Sequence, residues 1–194
     1  MKITVSIATV MLLAISQFSF AQALPSKIRG YKVYKADVTV RGSADKSSEN
    51  GKNQALVTLG KPEIANIALS GITLEIGAEV AAMDQSGRVD FLTFNDFRIN
   101  GLAVDIEEYP HEFAFKKGDS ILLPNPARLT IGTINMARAA RRELIESKKE
   151  WQVTGTVFVF GKFKKFGFSF KRVVPVKINL TIDNPLQSLI KSGG

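Results

Sequence analysis

The chain has 194 residues, a formal net charge of +8 at pH 7, a single histidine and no cysteine. The missing cysteine excludes disulfides, a thiolate nucleophile, a thiolate-ligated metal and a lipidated signal cysteine. The single histidine, His111, lies between Pro110 and Glu112 in a polar connection, where it reads as a loop residue; triads of the Ser-His-Asp kind need such a residue as base, and zinc sites usually need several His or Cys ligands.

Lys2 precedes the apolar run Ile3 to Ile15, which is interrupted only by Thr4, Ser6 and Thr9 and followed by Ser16, Gln17, Ser19 and Ala21-Gln22-Ala23. This is the pattern of a secretory signal peptide over 1–23, cleaved after Ala23, with cleavage after Ala21 as the alternative. The run is shorter than the roughly 20 residues a membrane-spanning helix needs, and no later stretch is apolar enough to span. Removing 1–23 takes one lysine and no acid, so the net charge becomes +7. The remainder suits one domain over 24–185 with a short tail, 186–194, in the periplasm or outside the cell. The basic balance suits an anionic membrane surface or a polyanionic polymer, with a plainly solvated basic surface as the blander reading. Export disfavours nucleic acid.

From residue 31 to 41, Tyr34, Ala36, Val38 and Val40 alternate with Lys35, Asp37, Thr39 and Arg41, the period of a half-buried strand. Residues 42–53 form a polar loop. Ile72, Leu74, Ile76, Ala78, Val80 and Ala82 make the longest alternating run, and Asp84-Gln85-Ser86-Gly87 is a turn. Val89 to Ile99 returns as a strand carrying Phe91, Phe94 and Phe97, and Asn100-Gly101 signals a tight hairpin into Leu102 to Ile106. After a turn at 116–119, Pro124 and Pro126 push the strand 121–131 towards a sheet edge. One short α-helix is predicted near 135–147, capped by Asn135, with Met136, Ala140 and Leu144 on one face. The last third alternates again through Trp151 to Val159, Phe166 to Phe170 and Val174 to Ile182. Seven to nine short strands with one late helix predict a mostly β, antiparallel sandwich, with a barrel as the alternative.

Over about residues 60–182 the order of features resembles the late embryogenesis abundant type 2 domain, also called the water stress and hypersensitive response domain. Four stretches carry the resemblance: Pro62-Glu63-Ile64 before the run 72–80; Phe94-Asn95-Asp96-Phe97-Arg98-Ile99-Asn100-Gly101-Leu102; Leu123 to Thr133; and Val153-Thr154-Gly155-Thr156-Val157 with the final strand through Val176-Lys177-Ile178. The resemblance implies a fibronectin- or immunoglobulin-like sandwich with a helix near one end and a role in desiccation or stress protection. Some relatives are exported, and some are thought to hold or pass lipids. The family's Asn-Pro-Asn-type motif after the second strand is replaced here by Met83-Asp84-Gln85-Ser86-Gly87. The resemblance supplies no catalytic residue and no cofactor.

The sharpest local feature is Phe158 to Arg172, with six phenylalanines among five basic residues and two glycines. It reads as a hairpin with a turn between Gly161 and Gly167, its phenylalanines in the core. The functional alternative is a membrane-edge loop, in which Phe163 and Phe166 enter the interface while Lys162, Lys164 and Lys165 meet anionic headgroups. Asp105, Glu107 and Glu108 near Glu112 form a carboxylate group of the kind glycosidases use, although exposed charge at a strand edge also blocks sheet-to-sheet pairing. Asn179-Leu180-Thr181 matches a glycosylation pattern but lies in a predicted strand. Together these features predict an exported, non-enzymatic binding or stress-protective domain without metal or cofactor. Its expected partner is an anionic membrane surface, a lipid or an envelope protein. The alternatives are an envelope structural subunit and, behind it, a carboxylate hydrolase. A hollow lined by Phe91, Phe94, Phe97 and Val157 would point to an apolar ligand.

Overall fold

Alternation sets which side chains point inwards, while glycines and bulges decide where the strands bend and change sheets. The computed structural model describes residues 24–36, 38–44, 57–132, 149–165 and 167–184. The expected signal peptide 1–23, most of the polar loop 42–53, the expected helix near 135–147 and the tail 186–194 lie outside the described residues.

The described strands are β1 (Lys27–Ile28), β2 (Tyr31–Val33), β3 (Val40–Arg41), β4 (Val57–Leu59), β5 (Glu63–Ala68), β6 (Gly71–Ile76), β7 (Ala78–Val80) and β8 (Gly87–Ile99). They continue with β9 (Leu102–Ala103), β10 (Asp105–Ile106), β11 (Phe113–Phe115), β12 (Ile121–Leu122), β13 (Ala127–Gly132), β14 (Glu150–Lys165) and β15 (Phe168–Asp183). The described chain is thus mostly β. A seven-stranded sheet runs β1-β2-β15-β14-β8-β11, with β9 paired to β8. Two four-stranded sheets run β10-β13-β6-β5 and β12-β7-β4-β3. Pairing is antiparallel except for β15 with β2 and β3 with β4.

Two long alternating runs break. The 31–41 run yields β2 in the large sheet and β3 in a small one, so the backbone crosses between layers; Val38 and Val40 pack against the core, while Tyr34 and Ala36 border the cavity but stay exposed. The 72–82 run divides at Gly77 into β6 and β7, which belong to different sheets. The Gly77 carbonyl accepts a bond from the Gly60 amide at 2.9 Å, which anchors the corner. Corners of this kind let strands switch sheets. The expected edge strand 121–131 is likewise two strands: β12 is an edge, but β13 lies inside its sheet, because the two prolines fall in the connection between them.

Asn100-Gly101 forms the tight hairpin expected, with φ of 49° and 81° and Ile99 opposite Leu102. β14 and β15 pair without interruption from Glu150↔Asp183 to Lys165↔Phe168, so the hairpin is longer and its turn shorter than a Gly161–Gly167 loop. The alternation of Phe163, Phe168 and Phe170 with basic and polar residues carries the ladder through that stretch. Gly167, at φ 80°, supplies the turn geometry.

β8 carries an extra residue at each of two register shifts against β14. Each bulge swaps the face its neighbours present. Val89, Leu92, Phe94, Phe97 and Ile99 therefore face inwards, while Phe91 faces outwards. At one shift the opposing residue is Gly155, where a Cβ would stand 2.6 Å from the Phe97 ring.

Two apolar clusters result. The main core joins the inner face of the large sheet, including Val153, Val176, Ile178 and Ile182, to Leu74, Leu129 and Ile131 of a smaller sheet. A second cluster lies on the other face of the large sheet, where Tyr31, Phe160 and Val173 meet Phe91 and Phe158. There the Phe91 and Phe160 rings stack at 4.4 Å.

Candidate functional site

Facing layers of a β fold stand about 10 Å apart, and side chains from both must fill the gap. Here one wall is built from short side chains. Val57, Ala78, Val80 and Ala127 line it from the small sheets, and the exposed Ala36 and Ala82 border it beside them. The large sheet answers with Phe94, Phe97, Val157, Val159, Val174 and Val176. These do not close the space, and a cavity of about 1130 Å³ remains between the layers. Ligand pockets in proteins run roughly 300–1,000 Å³, so this one is large.

The lining is almost wholly apolar. Its charged members are Asp84, Lys117, Lys164 and Arg172, with Gln85 beside Asp84. They gather at one end, because that end is tied together by backbone bonds. The Gly118 amide donates to the Met83 carbonyl at 2.9 Å, the Lys164 amide to Ser86 at 2.8 Å, and the Tyr34 amide to Val173 at 2.9 Å. Phe163 stands opposite both Gly87 and Phe170. Lys117 and Asp84 form an exposed pair at 4.0 Å. The Arg172 guanidinium lies 5.3 Å from the Phe170 ring centre and 5.9 Å from that of Tyr34. The cavity continues to Ile99, Val153, Leu129 and Ile182, all buried. It therefore has a polar, exposed mouth and an apolar floor.

The pocket is open at its mouth, and its apolar walls give water few partners. The space suits an apolar occupant.

Three of the four residues expected to line such a hollow do so: Phe94, Phe97 and Val157. Phe91 does not, because the bulge beside it turns its ring to the second cluster. In the basic aromatic hairpin, Lys162 and Lys164 are exposed, and Phe163 is turned inwards against the core, its ring 6.0 Å from that of Phe115. Lys165 pairs with Phe168 at the end of β14, and Phe166 lies outside the described residues. The exposed aromatics at this tip are Phe168 and Phe170.

The carboxylates lie at the surface. Asp105, Glu107, Glu108 and Glu112 are all exposed. Glu108 accepts from Arg29 at 2.7 Å and Glu112 lies 3.5 Å from Arg88. His111 is exposed, with its ring 5.1 Å from that of Tyr109. Among the described residues no group of three or more His, Cys, Asp or Glu could hold a metal ion. Asn179 is exposed on β15, and its side-chain oxygen accepts from Gln152 at 3.4 Å. No helix of the described residues is long and apolar enough to cross a membrane.

Sequence reasoning missed the small-sheet wall. The signal was present in the alanines at 78 and 127, whose short side chains leave volume that the opposite wall does not fill.

No family model matches the chain, and no curated protein matches it. A crystal structure of a protein from Archaeoglobus fulgidus is similar over 64% of this chain and 94% of its own, at a TM-score of 0.38 and 11% identity.

Proposed function

We propose that this chain is an exported, non-enzymatic carrier that holds the hydrocarbon chain of a lipid between its sheets. The observation that carries this is the cavity of about 1130 Å³ with an apolar floor and a polar mouth. A volume of this size, apolar walls and, among the described residues, charge gathered at one end suit an amphiphile's tail and head. The mouth lies beside the β14–β15 tip, where Phe168 and Phe170 are exposed next to Lys162 and Lys164. Apolar rings among lysines suit contact with an anionic membrane surface, so the ligand is loaded from a bilayer lying against the mouth. The resemblance to the late embryogenesis abundant type 2 domain, some of whose relatives are thought to hold or pass lipids, agrees with this reading. We assign the chain to the fibronectin-like sandwiches on the same ground: a large sheet faces smaller ones across one core.

The test is titration of the chain from Leu24 onwards with the neutral apolar fluorophore N-phenyl-1-naphthylamine. Saturable enhancement that monoolein, a neutral acylglycerol, reverses is the expected result. Enhancement that never saturates, or that no lipid reverses, refutes the carrier reading.

A further inference from the structure

The charged end of the cavity is unequal in sign. Lys117, Lys164 and Arg172 stand against the single acid Asp84, and Asp84 is already paired with Lys117. Lys164 and Arg172 have no ion pair with a described residue. Arg172 follows Phe170 and precedes Val174 on the inward face of β15, so its side chain belongs to the cavity side of the sheet. Its guanidinium lies near both the Phe170 and the Tyr34 rings. Such stacking favours a planar cation and leaves its N–H edges free to donate. A guanidinium edge meets a carboxylate or phosphate through two parallel bonds.

We propose that the cavity is selective for anionic amphiphiles, taken tail first, with a carboxylate or phosphate head held at Arg172 and supported by Lys164. This rests on the carrier reading above and adds head-group choice to it. A neutral lipid fills the same apolar floor but leaves the two cations unanswered. An anionic head answers both without burying charge, because the mouth is exposed. Carboxylate and phosphate share this chemistry, so a fatty acid and a phosphatidic acid are both candidate ligands.

The test compares cis-parinaric acid with its methyl ester, which share one tail and differ in head charge. The wild-type chain should bind the acid about tenfold more tightly at low salt, the worth of one good charge-assisted contact. High salt should narrow that gap. Arg172→Gln together with Lys164→Gln should bring acid affinity down about tenfold towards that of the ester and so remove the preference. Competition by oleate and by lysophosphatidic acid then separates the two sources of the head, since the one that displaces the probe at lower concentration is the better fit. Equal binding of acid and ester by the wild type, or a preference that survives the double substitution, overturns head-group selection while the carrier reading stands. Binding of neither probe overturns both.

Discussion

Phe163 and Phe170 stand opposite one another across the β14–β15 hairpin and both border the cavity, but only Phe170 is exposed, at 40%. Phe163 packs into the core towards Phe115, whereas Phe168, two residues before Phe170, is 70% exposed. Phe163→Ser should therefore destabilise the fold by about 2–4 kcal/mol through loss of buried ring contacts. Phe168→Ser combined with Phe170→Ser should shift stability by about 1 kcal/mol or less and weaken flotation with anionic liposomes. Lys162→Gln with Lys164→Gln should remove the salt-sensitive part of that flotation. Urea unfolding and flotation of the same variants separate the two roles. A stable Phe163→Ser variant, or flotation indifferent to Phe168 and Phe170, would contradict this division of the hairpin.

Tyr31 donates its hydroxyl to Asp90 at 2.8 Å. Burial, then the hydrogen bond to Asp90 and its negative charge, push the Tyr31 pKa from 10.0 up to about 12, while Arg88 acts the other way. The folded state thus keeps the proton where the unfolded chain has released it. The resulting stability is fully present below pH 10 and is lost as pH rises towards 12. Tyr31→Phe should flatten this alkaline loss and cost about 1 kcal/mol near neutrality from the missing hydrogen bond. Urea midpoints measured across that pH window check it. An unchanged alkaline slope in Tyr31→Phe would assign the loss to another group.

Alternation in the sequence reports which residues point inwards more faithfully than which strand they occupy. Ile76, Ala78 and Val80 share the interior as their period demands, although the chain changes sheet at Gly77 between them. The same holds for Val38 and Val40. Asn100-Gly101 was legible because only two consecutive positive φ values make that turn, and the residue types announce them. The face of Phe91 was not legible, since a β-bulge leaves no distinct residue signature and one extra residue reverses the count. The cavity was half legible. Its aromatic wall followed from alternation along β8 and β14, but its volume depends on how two small sheets sit against a large one. That is a property of long-range pairing.

Val157 lines the cavity, with Phe94 and Val176 as its cross-strand neighbours. Val157→Phe adds a ring into the space rather than into packed side chains. It should raise stability by about 0.5–2 kcal/mol, as cavity-filling substitutions do, and weaken binding of a long acyl chain by about tenfold or more. The same change in a filled core would lower stability by about 1–3 kcal/mol. Thermal unfolding with and without oleate distinguishes these outcomes, and destabilisation with unaltered oleate binding would place the ligand elsewhere.

The most direct measurement is native mass spectrometry of the wild-type chain, purified without detergent from cells that export it. The carrier account predicts the polypeptide with an added lipid mass, lost on organic extraction, together with a fall in melting temperature that returned lipid reverses by mass action. A bare polypeptide mass before extraction, with a melting temperature that added lipid leaves unmoved, would mean that the chain fills its own cavity and would contradict the account.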